Sequence, residues 1–199
     1  KELKKRDKKN GVPDLEIIED REELLKREPN LNRRAVAALY APTAAATSPY
    51  ELAIAMAENA MENGVKIFLD TGVTGIMVKK GELKSVQTSK GRIKTNYVVN
   101  AAGLQADEVS AMAGIDRFTI HPRKGEYYIF DKLLNGFVQQ ILFPVPTPIS
   151  KGTVVTPTVD GNILIGPNAQ NVEDKNDSAT TSRGLDEVFS GALRLIPEL

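Results

Sequence analysis

Cysteine is missing from the sequence, histidine occurs once, and neither sign of charge is in excess. Without cysteine there is no disulfide, no thiolate metal ligand and no thiol nucleophile, a composition that fits a reducing cytoplasm. One histidine and no thiols leave zinc without its usual donors, so no metal site is expected. Lys plus Arg number 26, as do Asp plus Glu. With a net charge of zero, no overall field draws the chain to nucleic acid or to an anionic membrane. No apolar run approaches the roughly 20 residues of a membrane span, and the charged N-terminus has no apolar stretch behind it of the kind a signal peptide carries. The basic opening Lys1–Lys9 is interrupted by Glu2 and Asp7 and reads as a solvated helix face. Hydrophobic residues make up 41% of the chain and charged residues 26%, which is ordinary for a globular protein with a real core.

The dinucleotide fingerprint G-x-G-x-x-G is also absent. Gly72 and Gly75 have part of the spacing but lie in a strand-like run, the wrong context, and there is no G-x-x-x-x-G-K. Both ends look cut. The chain starts at Lys1 inside a polar helical stretch. It stops at Leu199, after the apolar stripe Leu185, Val188, Phe189, Ala192 and Leu193. The expectation is an internal piece of a larger protein.

What is present organises into two interleaved regions. Leu15–Glu19 reads as a short strand. Asp20 with Glu23 forms a capping-box pattern ahead of Leu24 and Leu25, and Pro29 stops that helix. Ala35–Thr47 is small and poorly charged, suited to close packing against a neighbour or ligand. Ser48, Pro49 and Glu51 then open the clearest helix, with Leu52, Met56, Asn59 and Ala60 on one face, Ile54, Ala57 and Met61 beside it, and Gly64 at its end. Val65–Leu69 is expected to be a strand. Val73–Val78 and Leu83–Thr88 form a hairpin about Lys80-Gly81, and Lys90-Gly91 marks another turn. Tyr97–Val99 has the wholly apolar character of a strand covered on both faces, and a helical stretch runs on to about Met112. Further strands are expected at Gly125–Asp131, Phe137–Phe143, Gly152–Thr158 and Asn162–Ile165. Prolines 144, 146 and 148 stiffen a loop, Asp160-Gly161 makes a turn, and Asn171–Ser182 is polar and exposed. No internal repeat appears. The fold class is α/β with α+β character, built of mixed sheets with packed helices. The two regions are about 48–115, and 1–47 with 120–170, and the C-terminal helix is open to either.

Three places carry possible chemistry. Val98–Gly103 is a strand end running through small residues into a helix. Such a turn lets a ligand approach the backbone and sets a helix N-terminus towards an anion; a tightly packed structural turn has the same sequence. His121 is either a general base or polar surface. Arg123 and Lys124 suit a phosphate, a carboxylate or an anionic flavin, or form a solvated basic pair. Tyr127 and Tyr128 point to opposite faces of one strand, so one is core and the other free to meet a pocket. Asp and Glu are scattered through caps and loops, and no catalytic residue is assigned.

Four stretches in order carry a resemblance. They are Ala38-Leu39-Tyr40-Ala41-Pro42-Thr43 with Pro49-Tyr50-Glu51-Leu52; Tyr97–Asp107, with Asn100-Ala101-Ala102-Gly103 and Ala106-Asp107; Pro122-Arg123-Lys124-Gly125-Glu126-Tyr127-Tyr128; and Thr156–Pro167. Together they resemble the FAD-dependent glycerol-3-phosphate dehydrogenase group of the D-amino-acid-oxidase-like flavoenzyme family, over nearly the whole chain. The resemblance implies a partial FAD-binding domain at 48–115 interleaved with an antiparallel-sheet substrate domain at 1–47 and 116–199. It also implies a Rossmann start before the chain and a pocket-closing segment after it, the two expected partners of this piece. Val73 would meet the adenine end of FAD, and Ala101, Ala102 and Gly103 would line the cofactor near its phosphates. Arg123, Lys124 and Tyr127 would bind a small anionic substrate beside the flavin ring. Relatives often have Gly-Ile-Val-Asp or similar where this chain has Ala45-Ala46-Thr47-Ser48, which leaves the substrate open. The activity implied is hydride transfer from glycerol 3-phosphate to flavin, giving dihydroxyacetone phosphate. L-2-Hydroxyglutarate is the neighbouring choice, and a non-catalytic ligand- or partner-binding domain the reading from another class. The 199 residues alone are expected to be inactive and not to retain FAD.

Overall fold

A computed structural model describes residues 2–147 and 150–199. Lys1 of the basic opening and Pro148 of the proline-rich loop lie outside the described residues. In chain order the elements are α1 (Glu2–Lys9), β1 (Glu16–Ile18), α2 (Arg21–Arg27), β2 (Ala38–Tyr40), α3 (Pro49–Glu62), β3 (Val73–Lys79), β4 (Glu82–Thr88), β5 (Gly91–Lys94), α4 (Ala106–Met112), β6 (Arg123–Lys124), β7 (Tyr128–Phe130), β8 (Val154–Pro157), β9 (Ile163–Gly166), β10 (Gln170–Asn171) and α5 (Ser182–Leu193). The result is a mixed α/β molecule of helices and small sheets. Among the described residues no helix is long and apolar enough to cross a membrane.

The chain divides into two compact units. The first comprises the chain up to Leu52 with Lys124–Gln170 and Ser178–Leu199. Its centre is the antiparallel sheet β7-β9-β8, in which Tyr128 pairs Ile165 and Val155 pairs Ile165 from the other side. Asp160 and Gly161 supply the turn between β8 and β9, with Gly161 at φ 87°. Helix α5 lays its apolar stripe on this sheet. Val188 and Ala192, with Ile196 beyond the helix, bury against Val138, Val155, Ile163 and Ile165. Two glycines two turns apart make the approach close. A Cβ on Gly191 would overlap Thr153, and one on Gly184 would overlap the carboxylate of Glu126.

The smaller β1–β2 ladder pairs Glu16 with Tyr40 and Ile18 with Ala38. Asp20 caps α2 by accepting from the N–H groups of Glu22 (2.8 Å) and Glu23 (3.3 Å). The Glu23 side chain takes Arg27 Nε at 2.7 Å instead of completing the box. The strand expected at Phe137–Phe143 is reduced to a single bridge, Leu142 with Val155. The reason is where its backbone groups go. Gln139 N and Gln140 N donate to Glu28 Oε2 at 2.7 and 2.9 Å, and Phe137 O accepts from Asn30 Nδ2 at 2.7 Å. Side chains after α2 thus take the place of a ladder.

The second unit comprises Ala53–Arg123 and Asn171–Asp177. It is the meander β3-β4-β5 with α4 against β3. The β3–β4 connection is Lys80-Gly81 as expected, with φ 52° and 77°, the doubly left-handed turn that matches strand twist. In α3, which begins in the first unit, the cap is also as expected: Ser48 Oγ accepts from Glu51 N at 3.4 Å. Gly64 (φ 88°) ends the helix. None of the α3 residues is buried, however. The expected strands at Val65–Leu69 and Tyr97–Val99 do not form, and their side chains stand exposed, with Leu69 at 75% and Val99 at 91%. A strand needs a neighbour to receive its backbone groups, and among the described residues neither segment has one.

Candidate functional site

In the second unit the turn Asn100–Gly103 is shaped by its own asparagine. Asn100 Nδ2 donates to Ala106 O at 2.7 Å, and its Oδ1 accepts from Ala102 N at 3.2 Å. Gly103 has φ 57° and nothing within 4 Å of the place a Cβ would take. Ala101 is exposed and Ala102 half-buried. Beyond Asn100, whose side chain is folded into these two bonds, the turn presents backbone with no side chain larger than a methyl, which fits close approach by a bulky cofactor such as FAD. Asp107 and Glu108 already occupy the first turn of α4. The anion-favouring end of that helix is answered by its own carboxylates, so the turn offers a cofactor proximity more than charge. Val73 opens β3, half-exposed, opposite Thr88 and just before a register shift.

Asp107 is held by three donors. Its Oδ2 accepts from Ile120 N at 2.9 Å, and its Oδ1 accepts from Lys175 Nζ at 2.6 Å and Glu108 N at 2.9 Å. The bond from Ile120 N, then the one from Lys175, hold its pKa down at about 2. Lys175 is raised in turn, first by Asp107 and then by Glu108. The polar segment after β10 is thus mostly exposed, as expected, but pinned through Lys175.

In the first unit, burial alternates strictly from Arg123 through Phe130. Lys124, Glu126, Tyr128 and Phe130 turn inwards, while Arg123 (the last residue of the second unit), Gly125, Tyr127 and Ile129 turn outwards. Of the two tyrosines, Tyr128 is therefore the core residue, edge-on to Phe189 at 6.2 Å, and Tyr127 is the exposed one at 45%. The Tyr127 ring lies over Gly166, where a Cβ would meet it at 2.6 Å; one on Gly125 would meet Pro167 at 2.5 Å. Lys124 Nζ donates to Ala179 O at 2.9 Å and stands 4.0 Å from Glu126 Oε1. His121 is exposed.

Glu126, which accepts from Thr181 N and Oγ1 and donates its N–H to Asn168 Oδ1, escaped the sequence reading with both partners. Glu126 lies inside the Pro122–Tyr128 motif, and the period of two that separates Tyr127 from Tyr128 also puts Lys124 and Glu126 on one side. Thr181 and Asn168, which hold Glu126, are distant in sequence and carry no local signal.

One unit carries an open small-residue turn, and the other carries an antiparallel three-stranded sheet with the aromatic strand β7 at its edge. The chain belongs to the FAD dependent oxidoreductase (DAO) family, whose profile matches residues 1–199. Its relatives include the glycerol 3-phosphate dehydrogenase of Caloramator mitchellensis, 43% identical over 190 residues that are 96% of this chain and 39% of the relative. Among solved structures, L-proline dehydrogenase from P. horikoshii superposes with a TM-score of 0.84 at 32% identity, over 96% of this chain and 50% of that one. Dithionite-reduced L-alpha-glycerophosphate oxidase from Mycoplasma pneumoniae, with FAD bound, also gives 0.84, at 30% identity over 94% of this chain and 50% of that one. The chain thus spans between 39% and 50% of the length of these relatives.

Proposed function

We propose that the protein to which these residues contribute oxidises glycerol 3-phosphate to dihydroxyacetone phosphate, with FAD as its cofactor. The observation that carries this reading is the 43% identity to a glycerol 3-phosphate dehydrogenase across nearly the whole chain. Fold alone does not choose the substrate, because the proline dehydrogenase and the glycerophosphate oxidase superpose equally well. When bound, FAD supplies the acceptor for the hydride that leaves the secondary alcohol carbon. Val73, Ala101, Ala102 and Gly103 hold that cofactor in this reading, through backbone that no large side chain obstructs. Arg123 and Tyr127 recognise and orient the small anionic substrate in this reading, the cation matching its phosphate charge, whereas Lys124 is turned inwards, donating to Ala179 O with 9% of its side chain exposed. The domain roles follow: the 48–115 region serves the cofactor, and 1–47 with 116–199 serves the substrate.

The test uses a polypeptide of the relatives' length. Purified anaerobically with its flavin, it is mixed in turn with glycerol 3-phosphate, L-2-hydroxyglutarate and L-proline, and flavin absorbance near 450 nm is followed. Rapid bleaching by glycerol 3-phosphate is expected. Bleaching by either of the others alone would replace the substrate, and a protein without flavin would overturn the reading.

A further inference from the structure

Glu126 is a buried charge that the proposed reaction does not use. The residue is 2% exposed, and its carboxylate is enclosed by named partners. Thr181 N donates to Oε2 at 3.0 Å, and Thr181 Oγ1 to Oε1 at 3.1 Å. Lys124 stands 4.0 Å away, with side-chain exposures of 9% for Lys124 and 1% for Glu126. Gly184 backs onto the carboxylate so closely that a methyl there would overlap it. The backbone is tied as well, Glu126 N donating to Asn168 Oδ1 at 2.8 Å.

Such a cluster is a poor device for stability alone. A buried ion pair replaced by apolar residues of similar volume is often neutral or stabilising, because desolvation offsets much of the attraction. Its use is better sought in geometry. β6 ends at Lys124 and β7 begins at Tyr128, so residues 125–127 lie outside any ladder. The ladders on either side set Tyr128 opposite Ile165 and pair β6 with β10, but the three residues between them have no ladder of their own. Register decides which face each side chain takes, since a slip of one residue exchanges the two faces. At the middle of the gap stands Glu126, fastened through its side chain to the N-cap of α5 and through its amide to the segment after β9.

We propose that Glu126 is a positioning residue for the substrate strand: anchored by Thr181 and Asn168, it holds Tyr127 on the outer face and the Lys124 ammonium at the inner one. This rests on the reading above, in which Tyr127 serves the substrate. Glu126 acts through Tyr127 and touches no reacting atom.

The test is made on the full-length holoenzyme, by glycerol 3-phosphate-dependent flavin reduction. Glu126→Gln keeps the size and one acceptor oxygen but removes the charge. It is expected to raise KM about tenfold with kcat changed by less than about threefold and flavin content unchanged. Thr181→Val, which removes the hydroxyl donor, is expected to raise KM similarly, and Thr181→Ser to restore the wild-type value. The double variant Glu126→Gln/Thr181→Val should show no further rise, as residues of one network are non-additive. Variants that lose thermal stability but keep the wild-type KM would overturn the positioning role and leave the functional reading standing. If Glu126→Gln does not fold, the Thr181→Val and Thr181→Ser pair decides by the same KM comparison. A wild-type holoenzyme that glycerol 3-phosphate does not reduce would overturn the functional reading, and this inference with it, before any substitution is made.

Discussion

Asp107 draws three donors onto one carboxylate, from Ile120, Lys175 and Glu108, and two of these bring in chain from well beyond its own helix. Its ionised form is what these donors favour, so its pKa falls from 3.8 to about 2. A carboxylate depressed in the folded state contributes stability that is present above its unfolded pKa and lost as pH falls through the folded one. The contribution is therefore complete above about pH 4 and disappears towards pH 2. Asp107→Asn should lower the thermal midpoint of the chain by a few degrees at pH 7, the gap closing between pH 4 and pH 2. Carboxyl-detected NMR titration gives the direct check: a midpoint for Asp107 near 3.8 would show that the tether does not persist in solution. Glu126 differs in kind. It is held from further along its own unit by Thr181, and its proposed effect is on the placement of Tyr127.

Helix α5 shows how an element's fit can reverse the rule for a single residue. Replacing glycine by alanine inside a helix ordinarily gains about 1 kcal/mol. Gly191 lies inside α5, but a Cβ there would overlap Thr153, a buried residue of the segment entering β8. Overpacking of this kind costs roughly 1–3 kcal/mol. Gly191→Ala is thus expected to be destabilising by about 0–2 kcal/mol net in urea unfolding, the difference of those two terms; a gain near 1 kcal/mol would show that α5 does not sit so close. The sequence announces α5 through its apolar stripe but not its closeness, since Thr153 is far along the chain. The same division runs through the other elements. The caps at Asp20 and Ser48, the Lys80-Gly81 turn and the β8–β9 turn are local chemistry, and the structure places them where the sequence reading does. Phe137–Phe143 has strand composition, yet Glu28 and Asn30 take its backbone groups. Val65–Leu69 and Tyr97–Val99 have strand composition too, and lack a neighbour among the described residues. In the site, the alternation that separates Tyr127 from Tyr128 was legible, and the anchoring of Glu126 by Thr181 was not.

At the scale of the molecule the two units differ in what holds them. The first has a continuous apolar core of Val138, Val155, Ile163, Ile165, Val188, Ala192 and Ile196. Among the described residues of the second, Ser85, Thr88 and Pro122 are the buried ones, and the apolar side chains of α3, including Ile54 at 55% and Met56 at 64%, face outwards. Local stability follows buried apolar contact, so opening free energies should separate along the same line. Hydrogen exchange on the 199-residue chain is expected to be slowest at β8, β9 and α5, and fastest at α3 and residues 65–69. Equal protection across both units would contradict the packing difference. The consequence for the cofactor is direct. The residues proposed to hold FAD, Val73 and Ala101–Gly103, all lie in the weakly packed unit. Ordering a loose unit around a ligand is subtracted from the binding free energy. The isolated chain should therefore retain FAD only substoichiometrically after gel filtration, measured by absorbance, while binding by a polypeptide of the relatives' length should be stoichiometric. Tight, equimolar FAD on the 199 residues alone would show that the open turn and its strand suffice for the whole cofactor.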